Sequence, residues 1–201
     1  KGKKMENPTE IELARNENTP TEDLDTLIAS ESESVRREVA QHPNLSPEQL
    51  DILSGDESQF VKVKVAANIN TLASTLDKLS TDESGLVREF VAEHPSTSAQ
   101  TLVALSNDRY ITSWVAGNPN LPVEIINKLS GDRDEFVRIS ATVNPSIPTD
   151  TLDTLSYDLD ENVRAAVAKN PRTPAATLTR LIGDENESVR EVALENPSRV
   201  L

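Results

Sequence analysis

Apolar residues along this chain fall in short pairs instead of long stripes. Leu24/Leu27, Leu50/Leu53, Leu76/Leu79, Leu102/Leu105, Ile126/Leu129, Leu152/Leu155 and Leu178/Leu181 are i, i+3 pairs. Six of them are followed by an i, i+4 pair: Val35/Val39, Val61/Val65, Val87/Val91, Val137/Ala141, Val163/Val167 and Val189/Ala193. Both spacings mark one narrow face of an α-helix. Helices this short are marginal alone in water, so such faces are buried only if successive pairs stack on one another.

The polar punctuation repeats with the same period. Asn or His, usually followed by Pro, recurs at Asn16, His42, Asn68, His94, Asn118, Asn144, Asn170 and Asn196, with spacings of 26, 26, 26, 24, 26, 26 and 26. A fixed period of this length is the signature of a solenoid. The expected organisation is an N-terminal remnant plus half-repeat cap over 1–15, with Met5 as the natural start. Seven repeats follow at 16–41, 42–67, 68–93, 94–117, 118–143, 144–169 and 170–195, and a further repeat begins over 196–201. The predicted fold class is all-α, a stack of seven two-helix repeats.

Numbered from the Asn or His, position 4 (Thr19, Thr71, Thr97, Thr173) reads as an N-cap, with Pro20, Pro122, Pro148 or Pro174 next as the first helical residue. Gly55, Gly131 and Gly183 at position 14 read as C′ glycines. Position 15 reads as the second N-cap, completed in four repeats by Glu33, Glu135, Glu161 or Glu187 three residues on. Asn-Pro then stops the second helix, because a residue before Pro avoids the helical region.

The unit resembles the leucine-rich repeat variant family, whose pattern runs close to N-P-x-x-P-x-x-x-L-x-x-L-x-x-D-x-x-x-x-V-R-x-x-V-A. Asn170, Pro171, Pro174, Leu178, Leu181, Asp184, Val189 and Arg190 carry it, and so does the stretch from Asn144 to Ala168. The resemblance covers about nine-tenths of the chain. It implies a right-handed superhelix of alternating α- and 3₁₀-helices, akin to HEAT repeats, and a scaffold role. The cysteine-ligated iron–sulfur cluster of the family's founding members is excluded, since the chain has no cysteine. The longer repeats here leave the first helix either α or part 3₁₀.

Composition narrows the function. With 20 Lys+Arg against 34 Asp+Glu, the net charge is −14. That field repels phosphate backbones and anionic lipid, so neither nucleic acid nor membrane is an expected partner. The absence of cysteine also removes thiol catalysis and zinc–thiolate sites. No glycine-rich phosphate loop, H-E-x-x-H or G-x-S-x-G motif occurs. The acidic loop at Asp158 lacks the glycine and terminal glutamate of an EF-hand, with Val163 and Lys169 in those places. No catalytic residue, metal or cofactor is expected, and the histidines, His42 and His94, sit at the Asn position of the repeat as polar caps on the turn.

Two recurring sets remain. Asp56, Asp82, Asp132, Asp158 and Asp184 at position 15, with Arg36, Arg88, Arg138, Arg164 and Arg190 at position 21, are expected to form a structural ladder in which arginine reaches an adjacent repeat. The fourth repeat interrupts it, losing two residues after Asp108 and carrying Ile111-Thr112 in place of Val-Arg. The second set is aromatic. Phe60, Phe90, Tyr110, Trp114 and Phe136 occupy positions 19 or 23 of the second helix, and Ile139 at position 22 extends the stripe. These six read either as filler between repeats or as a docking strip on a concave second-helix face. The expectation is a cytoplasmic, non-enzymatic scaffold that binds a net-basic protein or peptide there. The competing readings are an architectural spacer, self-associating through its C-terminal face, and, behind it, a HEAT-like protein acting on nucleic acid.

Overall fold

The computed structural model describes residues 8–199, so the expectations placed on Lys1 to Met5 and on Val200 and Leu201 lie outside the described residues. Every regular element among the described residues is helical. In chain order these are α1 (Pro8–Arg15), α2 (Thr21–Leu27), α3 (Glu33–Ala40), α4 (Pro47–Leu53), α5 (Gln59–Ala67), α6 (Ala73–Leu79), α7 (Gly85–Glu93) and α8 (Ala99–Leu105). They continue as α9 (Thr112–Gly117), α10 (Val123–Leu129), α11 (Glu135–Val143), α12 (Thr149–Leu155), α13 (Glu161–Lys169), α14 (Ala175–Leu181) and α15 (Glu187–Glu195). The first helix of each repeat is α-helical. By its packing the chain divides into two compact units, Lys1–Thr101 and Leu102–Leu201.

In the first unit α3 packs between α1 and α5, and α5 against α7. In the second, α9, α11, α13 and α15 pack in succession, with α10, α12 and α14 laid against them. The predicted faces are the buried ones: Leu50, Val61 and Val65 in the first unit, and Leu152, Val163 and Val167 in the second, are fully inaccessible. Each such side chain contributes roughly 1.5–3 kcal/mol on burial. Position 4 belongs to the core as well, for Leu45, Leu121 and Ile147 are buried there beside Thr19, Thr71, Thr97 and Thr173.

The capping expectations need correction. Thr at position 4 does not cap the helix ahead of it. Its hydroxyl donates back to the last turn of the preceding second helix, from Thr19 to the Leu13 carbonyl at 2.6 Å, Thr71 to Val65 at 2.6 Å and Thr173 to Val167 at 2.6 Å. Pro20, Pro122, Pro148 and Pro174 are the N-caps themselves. The capping box occurs one position later, where Ser46 and Gln49 bond reciprocally.

Asp at position 15 is not the second N-cap either. It accepts the backbone N–H two residues on, as Asp56 does from Ser58, Asp158 from Asp160 and Asp184 from Asn186. The N-cap is that next residue, Ser58, Asp134, Asp160 or Asn186, which accepts from the helix's first turn. Nor are the glycines left-handed: no residue with positive φ occurs among those described. Gly55, Gly131 and Gly183 close tight turns with i→i−3 bonds, and a Cβ at each would meet only ordinary contacts of 3.5, 3.6 and 3.4 Å. This explains why Ala29, Thr81, Asn107 and Tyr157 fill the same position elsewhere.

Candidate binding surface

Three polar ladders tie successive repeats, and they decide which polar groups stay free for anything else. The first runs along the turn after each second helix. Asn68 Nδ2 donates to the carbonyls of Ala40 and His42, and Asn144 Nδ2 to those of Ala116 and Asn118, both at 2.8 Å. The Oδ1 of each accepts the N–H two residues on. These bonds hold the Asn backbone extended whether or not Pro follows: Asn68, before Ile69, has φ −76 and ψ 124, close to Asn144 before Pro145. His42 and His94 serve the same register, donating from Nε2 to Asn16 and Asn68 carbonyls and accepting at Nδ1 from Asn44 and Ser96.

Both histidines are therefore held with Nδ1 unprotonated. Burial pushes the His94 pKa below the usual histidine range, partly opposed by its bond to the Asn68 carbonyl. The unfolded chain thus takes up this proton first, so the stabilisation is intact above the usual histidine pKa and is lost as pH falls through the folded one. His94→Asn, which keeps the amide pattern of the other repeats, is expected to reduce the drop in melting temperature between about pH 7.5 and about pH 5.

The second ladder is the ion-pair series. Arg36 Nε and Nη2 donate to Asp56 at 2.6 and 3.1 Å, Arg138 to Asp158 at 2.7 and 2.9 Å, and Arg164 to Asp184 at 2.8 and 3.0 Å. Lys62 takes the same role toward Asp82 at 2.5 Å. Each arginine's Nη1 also binds the carbonyl of its own repeat's position 15, as Arg88 does at Asp82 and Arg190 at Asp184. Burial pushes the Asp56 and Asp158 carboxyls up, and the bonds from their arginines together with the backbone N–H of Ser58 or Asp160 more than offset it, leaving both below the usual carboxylate range.

The third ladder, between first helices, escapes a reading of single repeats. Position 8 donates to position 10 of the repeat before it: Gln49 to Asp25, Thr75 to Asp51, Thr101 to Asp77, Thr151 to Asn127 and Thr177 to Asp153. The signal that marks it is the co-occurrence of Thr or Gln with Asp or Asn 24 residues earlier.

The aromatic stripe divides by position. Residues at position 19 point out: Tyr110 is 74% exposed, Phe136 66% and Phe60 50%. Phe90, Trp114 and Ile139, one turn further on, are half-buried. The first-unit and second-unit members belong to separate compact bodies. In the first unit an open groove of about 470 Å³ is lined by Glu33, Glu57, Phe60, Lys62, Asp82 and Glu83. Exposed apolar side chains also lie off the stripe, Ile69, Val143, Tyr157, Leu159 and Ile52 among them. Tyr157 is stacked under Arg180 at 4.0 Å, Leu159 is 98% exposed, and Ile52 borders a shallow cleft with Leu72. Among the described residues no three acidic or histidine side chains converge as a metal site, and no helix is long and apolar enough to cross a membrane.

Stacked helix pairs with a 26-residue period, tied by ladders of this kind, define an α-helical repeat protein. The model of the leucine-rich repeat variant family matches residues 34–58 and 161–186, which lie in the first two and last two repeats. A solved leucine-rich repeat variant, described as a novel repetitive structural motif, is 28% identical with a TM-score of 0.63, over 88% of this chain and 71% of its own. An Escherichia coli protein, YibA, is similar at 17% identity and a TM-score of 0.44, over 96% of this chain and 76% of its own. A designed armadillo repeat protein is similar at 17% and 0.32, over 92% and 89%. No curated protein sequence matches the chain.

Proposed function

We propose that this repeat scaffold binds a net-basic protein or peptide, with an apolar side chain of the partner seated against the exposed rings of Tyr110, in the turn before α9, and Phe136, on α11. The observation that carries this reading is that Tyr110 and Phe136 leave most of their surface in water while their chain neighbours Ile111 and Val137 are buried. Rings that served only to fill space between repeats would be covered. Aromatic side chains are favoured as binding anchors, because little conformational freedom is lost when they are covered. The net charge of −14 selects the sign of the partner and makes its association salt-dependent.

The test uses peptides selected from a random displayed library against the unaltered chain. Tyr110→Ala combined with Phe136→Ala is expected to weaken them by about 30-fold or more, while the melting temperature and helical signal barely change. Undiminished affinity, or a collapsed fold, would remove the support for this reading.

A further inference from the structure

The step from the fourth to the fifth repeat, within the second compact unit, differs from the other ladder steps. At Arg36–Asp56, Lys62–Asp82, Arg138–Asp158 and Arg164–Asp184 a cation of one repeat meets the carboxylate of the next, always 20 residues on. In the fourth repeat the cation's position holds Thr112. Its hydroxyl donates to the Asp108 carbonyl at 2.8 Å, which is the bond that the arginines make through Nη1. A threonine ends there and has no further donor to send across to the next repeat.

The carboxylate on the far side, Asp132, is nevertheless set as its counterparts are. Its Oδ1 accepts the Asp134 N–H at 2.9 Å, as Asp158 accepts from Asp160 and Asp184 from Asn186, each at 2.9 Å. In the paired steps Oδ2 is the oxygen that receives Nε of the arginine. Asp132 makes no ion pair among the described residues. Arg138 binds the Asp132 backbone carbonyl and spends Nε and Nη2 on Asp158, Arg109 lies over the Tyr110 ring at 5.4 Å, and Arg133, next to Asp132, is exposed and makes no ion pair with it. Tyr110 stands two residues before Thr112 and Phe136 four after Asp132, and both rings are mostly exposed.

We propose that Asp132 receives an arginine side chain of the bound basic segment, completing in trans the ladder step that Thr112 leaves open. The inference rests on the peptide-binding reading above and names the partner's chemistry. The internal repeats supply the template, since the same carboxylate geometry grips a guanidinium with two parallel bonds at three other steps. Arginine fits better than lysine, because its planar fork matches both carboxylate oxygens and its face stacks on aromatic rings.

N-acetyl-arginine amide is the probe, titrated into the isotope-labelled full chain while backbone amide resonances are followed. Saturable shifts at Gly131 to Asp134, smaller with the lysine analogue, are expected. Asp132→Asn keeps an acceptor for the Asp134 N–H and is expected to abolish them. Thr112→Arg gives the chain its own cation and is expected to abolish them too, with a raised melting temperature. Absence of saturable shifts in the unaltered chain, or equal shifts in Asp132→Asn, would overturn the inference. The library-selected peptides separate its failure from that of the wider reading. Those that lose affinity in the Tyr110/Phe136 variant yet bind Asp132→Asn unchanged would refute the arginine site alone, whereas a loss of about tenfold in Asp132→Asn supports it.

Discussion

Leu152→Ala is expected to cost about 2–5 kcal/mol of unfolding free energy, read from urea denaturation. Leu152 is fully buried on α12, where that first helix lies against α13. Truncation removes the transfer free energy of its methyl groups and opens a cavity that a helix of only two turns fills poorly. The loss propagates further than it would in a globule. A repeat touches only its neighbours, so a weakened interface uncouples the repeats on either side of it. Leu159→Ala is the matched control. The same side chain at 98% exposure is expected to change stability by no more than about 0.5 kcal/mol.

The second large effect is expected from Arg164→Ala. The guanidinium binds both carboxylate oxygens of Asp184 at 2.8 and 3.0 Å, and the carbonyls of Asp158 and Leu159 at 2.9 and 3.2 Å. Both side chains are over nine-tenths buried, at 9% and 8% relative exposure. Removing the cation leaves a covered carboxylate with only the Asn186 N–H and the more distant Arg190 charge to hold it. Breaking one partner of such a pair typically costs about 3–5 kcal/mol, because the remaining charge stays desolvated. Adding Asp184→Asn to Arg164→Ala is expected to recover part of the loss, and the double-mutant cycle reads the coupling.

The same pair sets an acid limit. The bond from Arg164 holds the Asp184 carboxyl below the usual carboxylate range against the opposing effect of burial. Its contribution is therefore present above that range and lost as pH falls through the folded pKa. Arg164→Ala should flatten this acid-side decline as well as lowering the plateau.

The division of labour among polar residues was the part of this structure hardest to read from the chain. Thr19, Asp56 and Gly55 each sit where a cap is normally found, yet each makes a different bond. A short polar side chain near a helix end has several backbone groups within reach, and local spacing ranks them poorly. The Thr and Gln at position 8 gave no hint within one repeat, since their acceptors lie 24 residues away. The aromatic stripe was legible as a set, but the expected placing of Tyr110 and Trp114 on one helix was not met: Tyr110 lies exposed in the turn before α9, while Trp114 is half-buried on α9.

What the chain alone determined is the repeat and its apolar faces. A short helix pair has one way to bury so few side chains, so the same positions must be apolar in every unit, and periodicity reports this directly. What only the tertiary structure decided is the partner of each polar group and the exposure of each ring. Both depend on how closely one repeat approaches the next, a distance set by packing across the stack and not by any residue's own neighbours in sequence.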